Sequence, residues 1–147
     1  MRRKLLLLLL LTCACLRGDQ AALAIFEQRY LALVHGEAAF ERLLGDEPQD
    51  YNGLIAEVDG RSVGLTHYLF HRHGWKVENV CYLQDLYVDE DVRGCGAGRA
   101  LIEAVYAAAD TAGNPDVYWQ TQHFNSTGRR LYDRVGKLSD FIIYERA

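Results

Sequence analysis

The chain has no surplus of positive charge. Its 16 Lys and Arg stand against 20 Asp and Glu, a net charge of −4 at pH 7. A nucleic-acid binder is expected to carry a basic patch, so this balance argues against nucleic acid as a partner. It is compatible with a cationic substrate, although charge alone decides little. Cysteine is sparse: Cys13, Cys15, Cys81 and Cys95, with no second Cys pair or His pair at metal-ligand spacing. Reduced thiols are expected, with no disulfide framework and no metal. Repeats, low-complexity linkers and a second domain are missing too. The remainder, 147 residues of which 50% are hydrophobic and 24% charged, has the balance of one globular domain.

Local signals divide the chain into elements. Residues 19–34 place Ala22, Ile25, Phe26, Tyr30 and Leu33 at helical spacing, and residues 38–44 form a second short helix stopped by Gly45 to Pro48. Two strand-like runs, 54–58 and 63–70, flank Asp59-Gly60, a strong hairpin signal. His67, His71 and His73 alternate with apolar residues toward the far end of that hairpin. Spacing of two would allow a metal pair, but no carboxylate or third ligand accompanies it, so an exposed strand end is expected. Further on come a strand at 82–88, a helix at 100–112 ended by Gly113-Asn114-Pro115, a strand at 117–121, a helix at Ser126–Val135 and a closing strand at 138–146. The order predicts an α/β domain with a mixed sheet flanked by helices.

The stretch from Tyr82 to Leu101 organises the rest. After the strand, Asp89, Glu90 and Asp91 supply turn chemistry, and Arg93-Gly94-Cys95-Gly96-Ala97-Gly98 leads into a helix. Closely spaced glycines let the backbone approach a ligand and aim successive N–H groups at it. A helix start adds unpaired donors and a positive dipole end, which together suit phosphate. Arg93 and Arg99 add side-chain charge. The dinucleotide fingerprint fails, because its third glycine position, counted from Gly94, is Arg99. The triphosphate loop fails too, for want of a Lys after the last glycine. A Gly-rich connection that binds nothing is the remaining alternative.

Arg-x-x-Gly-x-Gly at Arg93, Gly96 and Gly98 resembles the acetyl-CoA pyrophosphate loop of the GCN5-related N-acetyltransferases. Asn125, followed seven residues later by Tyr132 in a Leu-Tyr pair, is similar to that family's second motif. The resemblance covers roughly residues 21–147. It is nearest to small polyamine and diamine acetyltransferases and to bacterial relatives of a yeast histone and polyamine acetyltransferase. It implies a single-domain fold of that family and direct transfer of acetyl from acetyl-CoA to a primary amine, either a small amine or polyamine or a protein lysine. It also implies a cytoplasmic enzyme, and a homodimer joined partly through the last strand by Phe141, Ile142, Ile143 and Tyr144. The two predicted N-terminal helices would border the acceptor, near Glu27, Tyr30 and Glu37. A non-catalytic acetyl-CoA sensor that kept the loop is the rival reading.

Acetyl transfer needs a neutral amine, a polarised carbonyl and a protonated leaving thiolate. The resemblance puts Tyr132 beside the coenzyme sulfur as the acid. It gives Leu86, Tyr87 and Val88 main-chain contacts to pantetheine, the turn Gly94, Cys95, Gly96, Ala97, Gly98 and Arg99 the pyrophosphate, and Asn125 the pantetheine arm. Polyamine-type relatives carry Glu-Asp where this chain has Gln84-Asp85, and Gln cannot take a proton. Asp85, expected on the strand face opposite Gln84, is left as the candidate base or as the partner of a basic side chain.

Residues 1–18 stand apart. Arg2, Arg3 and Lys4 precede seven leucines at positions 5–11, as in a secretory signal, and Ala14-Cys15 weakly resembles a lipoprotein cleavage site. The run is short for a membrane span. Export or anchoring, a mis-called start, or the family's first strand at residues 8–16 are the three readings, with the acetyltransferase domain at 19–147.

Overall fold

The computed structural model describes residues 51–59 and 61–146. The leucine-rich segment and both predicted N-terminal helices lie outside the described residues. The elements run β1 (Asn52–Val58), β2 (Arg61–His71), β3 (Val80–Val88), a 3-10 turn (Glu90–Val92), α1 (Ala97–Thr111), β4 (Val117–Trp119) and α2 (Ser126–Val135).

The described strands form one sheet in the order β1-β2-β3-β4. β1, β2 and β3 are antiparallel neighbours and β4 joins β3 in parallel, so the sheet is mixed as expected. The hairpin signal was sound: Asp59 sits in the left-handed region at φ 53, a conformation that Asp tolerates in tight turns. Leu54, Ala56 and Val58 of β1 and Tyr68 of β2 join the core beneath α1. Ile55 and Leu65, register partners that are also buried, occupy the other face by strand alternation.

α1 forms because its apolar residues recur on one stripe. Ala97, Leu101, Ile102, Ala104, Val105 and Ala109 are all buried against the sheet. It begins three residues before the expected start, since Gly98 and Arg99 are already helical. Its end follows the Schellman pattern: Gly113 at φ 72, Gly113 N–H donating to Asp110 O, and Asn114 N–H donating to Ala109 O.

Two expectations are corrected. β4 spans Val117–Trp119, not 117–121, because the chain beyond Trp119 turns away to start α2. The closing strand at 138–146 does not form: the segment carries no regular structure and finds no ladder partner among the described strands. Apolar residues promote a strand only when a neighbouring strand is in reach to pair with, and here Phe141, Ile142, Ile143 and Tyr144 stay exposed.

Gly64 allows the tight contact of β2, β3 and α1. A Cβ there would meet the Tyr87 carbonyl oxygen at 2.8 Å and Leu101 Cδ1 at 3.3 Å. Gly64→Ala should therefore lower unfolding free energy by about 1–3 kcal/mol, the usual cost of overpacking, read as a fall in the urea midpoint.

Candidate active site

β3 and β4 pair only at Cys81↔Val117, Tyr82↔Tyr118 and Leu83↔Trp119, then separate. From Gln84 to Val88, β3 has no ladder partner on that side among the described strands. Its backbone groups there must find partners elsewhere. The far wall of the gap is α2, held by Trp119. The Trp119 ring meets Tyr132 edge-on at 5.6 Å and Tyr106 of α1 at 6.4 Å. Gly136 gives it room, since a Cβ there would lie 2.6 Å from the ring. The Tyr106 hydroxyl donates to Val135 O at 2.8 Å and ties α1 to the end of α2.

At the mouth of the gap lies the glycine turn. Gly94 and Gly96 take φ values of 87° and 99°, which side chains rarely allow. Gly96 caps α1 without a side-chain hydrogen bond, and no acidic residue occupies the first turn. The first N–H groups of α1 have no acceptor within the helix, so they and the dipole face outward. A Cβ on Gly98 would meet Leu131 Cδ2 at 3.1 Å and Val88 Cγ2 at 3.6 Å. Helix start, strand end and α2 therefore converge at Gly98.

The turn is anchored from behind. Arg61 bonds Asp89 at 2.9 Å and Asp91 at 2.8 Å, and Asp89 N–H donates to Val63 O at 2.8 Å. Arg93 donates from Nε to Val88 O at 3.3 Å and pairs with Glu90 at 3.3 Å, while Arg99 pairs with Glu103 at 3.5 Å. Both arginines thus border the turn with a carboxylate beside them. Cys95 is half-buried in the turn, and burial pushes the thiol of Cys81 up to about 12.

Asn125 is the N-cap of α2. Its Oδ1 accepts from Gly128 N–H at 3.0 Å and its Nδ2 donates to Thr121 Oγ1 at 3.0 Å. Gly128 fits because a Cβ would fall 2.6 Å from the Asn125 amide nitrogen. Burial raises the Tyr132 phenol above its ordinary value and the Thr121 hydroxyl works against the rise, so the group carries its proton at neutral pH. Nothing in the sequence marks Thr121 as a site residue, since it ends the strand expected at 117–121.

β3 carries a bulge. His67 pairs with Asp85 and Tyr68 with Leu83, leaving Gln84 as the extra residue. Strict alternation would put Leu83 and Asp85 on one face. Instead Leu83 joins the core under α1, while Asp85 faces His67. The bulge therefore removes the basis for expecting Gln84 and Asp85 on opposite faces. One of the three histidines departs from the expected exposed strand end. His67 is buried, with Nδ1 3.2 Å from Asp85 Oδ2. His71 bonds the Tyr118 hydroxyl at 2.9 Å, and His73 accepts from Trp75 N–H at 3.3 Å. The loop before β3 hides this register from any local reading of β2.

Residues 20–136 match the family model described as acetyltransferase (GNAT) family. The chain belongs to the GNAT acetyltransferases. It is an acetyl-CoA-dependent N-acetyltransferase, moving acetyl to an amine. Over 108 residues it is 47% identical to the D-amino-acid N-acetyltransferase HPA3 of Saccharomyces cerevisiae, covering 73% of this chain and 67% of the yeast protein. It is 32% identical over 93 residues to an uncharacterized N-acetyltransferase, YhfO, of Bacillus subtilis, covering 62% of each. Among solved structures, a ribosomal-protein-alanine N-acetyltransferase from Brucella melitensis biovar Abortus superposes with a TM-score of 0.69 at 23% identity, covering 97% of this chain and 99% of that one. An aminoglycoside N-acetyltransferase in complex with CoA gives 0.70 at 20% identity, covering 88% and 95%. These two likenesses concern the fold.

The Asn125 cap yields a direct test of how α2 is held. Asn125→Ala should cost about 1 kcal/mol of stability, seen as a lower urea midpoint with an unchanged slope.

Proposed function

We propose that this GNAT enzyme acetylates a small primary amine, with Tyr132 as the acid and Asp85 as the base. The observation that carries the reading is the convergence at Gly98 of a helix start without a side-chain cap, the end of β3 that has no ladder partner on its β4 side among the described strands, and the helix bearing Tyr132. The glycine turn, residues 94–99, takes the pyrophosphate on backbone N–H groups, with Arg93 and Arg99 at its border. The open edge at Leu86, Tyr87 and Val88 supplies main-chain partners to pantetheine. The Asn125 amide already caps α2 and bonds Thr121, so its part is to set the Tyr132 phenol, with any contact to the pantetheine arm secondary.

The amine attacks the thioester carbonyl, the C–N bond forms and the C–S bond breaks. Tyr132 gives its proton to the leaving sulfur. Asp85, 43% exposed, takes the proton that nitrogen sheds. Gln84 leaves this carboxylate as the base of the central strand. The identity to a D-amino-acid acetyltransferase makes the α-amine of an amino acid the first acceptor to try, ahead of polyamine or protein lysine. Because acetyl-CoA is a co-substrate, the reading extends to a cytoplasmic location.

Calorimetric titration with acetyl-CoA, followed by thiol release against D-amino acids, spermidine, spermine and a lysine peptide, tests the acceptor. Release is expected with D-amino acids, and its confinement to the polyamines or the peptide would overturn that choice. Tyr132→Phe should slow release by about 100-fold with acetyl-CoA affinity kept. An unchanged rate would remove Tyr132 as the acid.

The reading also includes a homodimer. Phe141 and Tyr144 are 84% and 88% exposed, beside Ile142 and Ile143, an apolar strip of the kind that pairs between copies. Sedimentation equilibrium should give a dimer, and Ile143→Asp a monomer.

A further inference from the structure

His67 lies in the middle of β2, directly across from Asp85. It is 2% exposed, whereas Asp85 keeps 43% of its side-chain surface. A buried imidazole beside a carboxylate is often only a satisfied core pair. This pair differs in that its carboxylate spans from the buried ring to accessible surface. It also sits at the Gln84 bulge, beside the point where β3 loses β4. The main chain at Asp85 is fixed as well, since Thr66 Oγ1 donates to Asp85 O at 2.6 Å.

We propose that His67 is a positioning residue for the base, a reading that rests on Asp85 in that role. The neutral ring donates its Nδ1–H to Asp85 Oδ2, which fixes the carboxylate's rotation and turns the other oxygen toward the acceptor nitrogen. The amine arrives neutral, its excess proton already lost to solvent. As the C–N bond forms, nitrogen passes one proton to the outer oxygen of Asp85, and the sulfur receives one from Tyr132. Solvent then carries the Asp85 proton back to the phenolate, so protons balance over the cycle and His67 keeps its own throughout. A short Asp side chain thereby does what a longer Glu at position 84 would do unaided, because misplacement of a base by an ångström costs on the order of 100-fold.

The test compares His67→Leu, His67→Asn, Asp85→Asn and the double variant His67→Leu/Asp85→Asn, using the amine that releases thiol fastest. His67→Leu should lower kcat on the order of 10- to 100-fold while acetyl-CoA affinity by calorimetry stays within about twofold. His67→Asn carries an amide nitrogen at the same number of bonds from the backbone as Nδ1, and should recover most of the loss. The double variant should be no slower than Asp85→Asn alone, as expected of groups acting through one another. On the wild-type protein, nitrogen-15 resonances should find Nδ1 of His67 protonated at neutral pH, a readout independent of whether the variants fold. An unprotonated Nδ1 overturns the inference. So does a folded His67→Leu variant at the wild-type rate while Asp85→Asn is slow, in which case Asp85 survives as the base. If Asp85→Asn itself turns over normally, the reading of Asp85 fails and takes the role of His67 with it.

Discussion

The separation of β4 from β3 after Trp119 is the constraint around which the described residues are arranged. Two parallel strands that begin in register would go on pairing, because every unpaired backbone group costs free energy unless another partner is found. Here the ladder stops after three positions, and the indole is packed between Tyr106 and Tyr132. Gly136 lets the last turn of α2 close over the ring, and the Tyr106 hydroxyl fastens that turn to α1. The result is a cleft with main-chain donors and acceptors on one wall and a phenol on the other. It is the geometry needed by a coenzyme with a long amide-bearing arm and a thioester at its tip.

The second constraint is the bulge at Gln84. One inserted residue lets Leu83 stay in the core while Asp85, two residues on, turns to the opposite face and meets His67. Without it, the carboxylate would follow Leu83 under α1, where an unpaired charge is costly. The bulge and the separation of the strands adjoin each other on β3, so the open backbone and the His67–Asp85 pair share one short segment.

Behind this segment, the 3-10 turn is tied to β2 through Arg61 and two aspartates, so the glycine turn leaves a fixed point. Asp91 and then Asp89 hold the Arg61 guanidinium charged by accepting its hydrogen bonds. That arrangement spends acidic side chains on the rear of the turn and leaves the first turn of α1 without them. An anion approaching the helix start meets N–H groups and no repelling carboxylate there.

Much of this was legible locally. Asp59-Gly60 marked the hairpin, the apolar period after the glycine run marked α1, Gly113 marked its end, and residues 126–135 were read as α2. Each is a short-range effect: positive φ, an unsatisfied helix donor or an apolar period acts within a few residues. The amino-acid sequence by itself therefore determined α1, α2 and the hairpin, and placed a glycine turn ahead of α1. What it could not determine is anything that depends on register between distant strands. His67 looked like one of three alternating histidines until β3 was laid beside β2. Thr121 looked like the end of a strand, yet β4 ends at Trp119, and residues 138–146 carried strand-like apolar content without a ladder partner among the described strands. Only the tertiary structure decided these, because strand pairing and side-chain facing are set by the neighbour across the ladder, and a single inserted residue reverses the face.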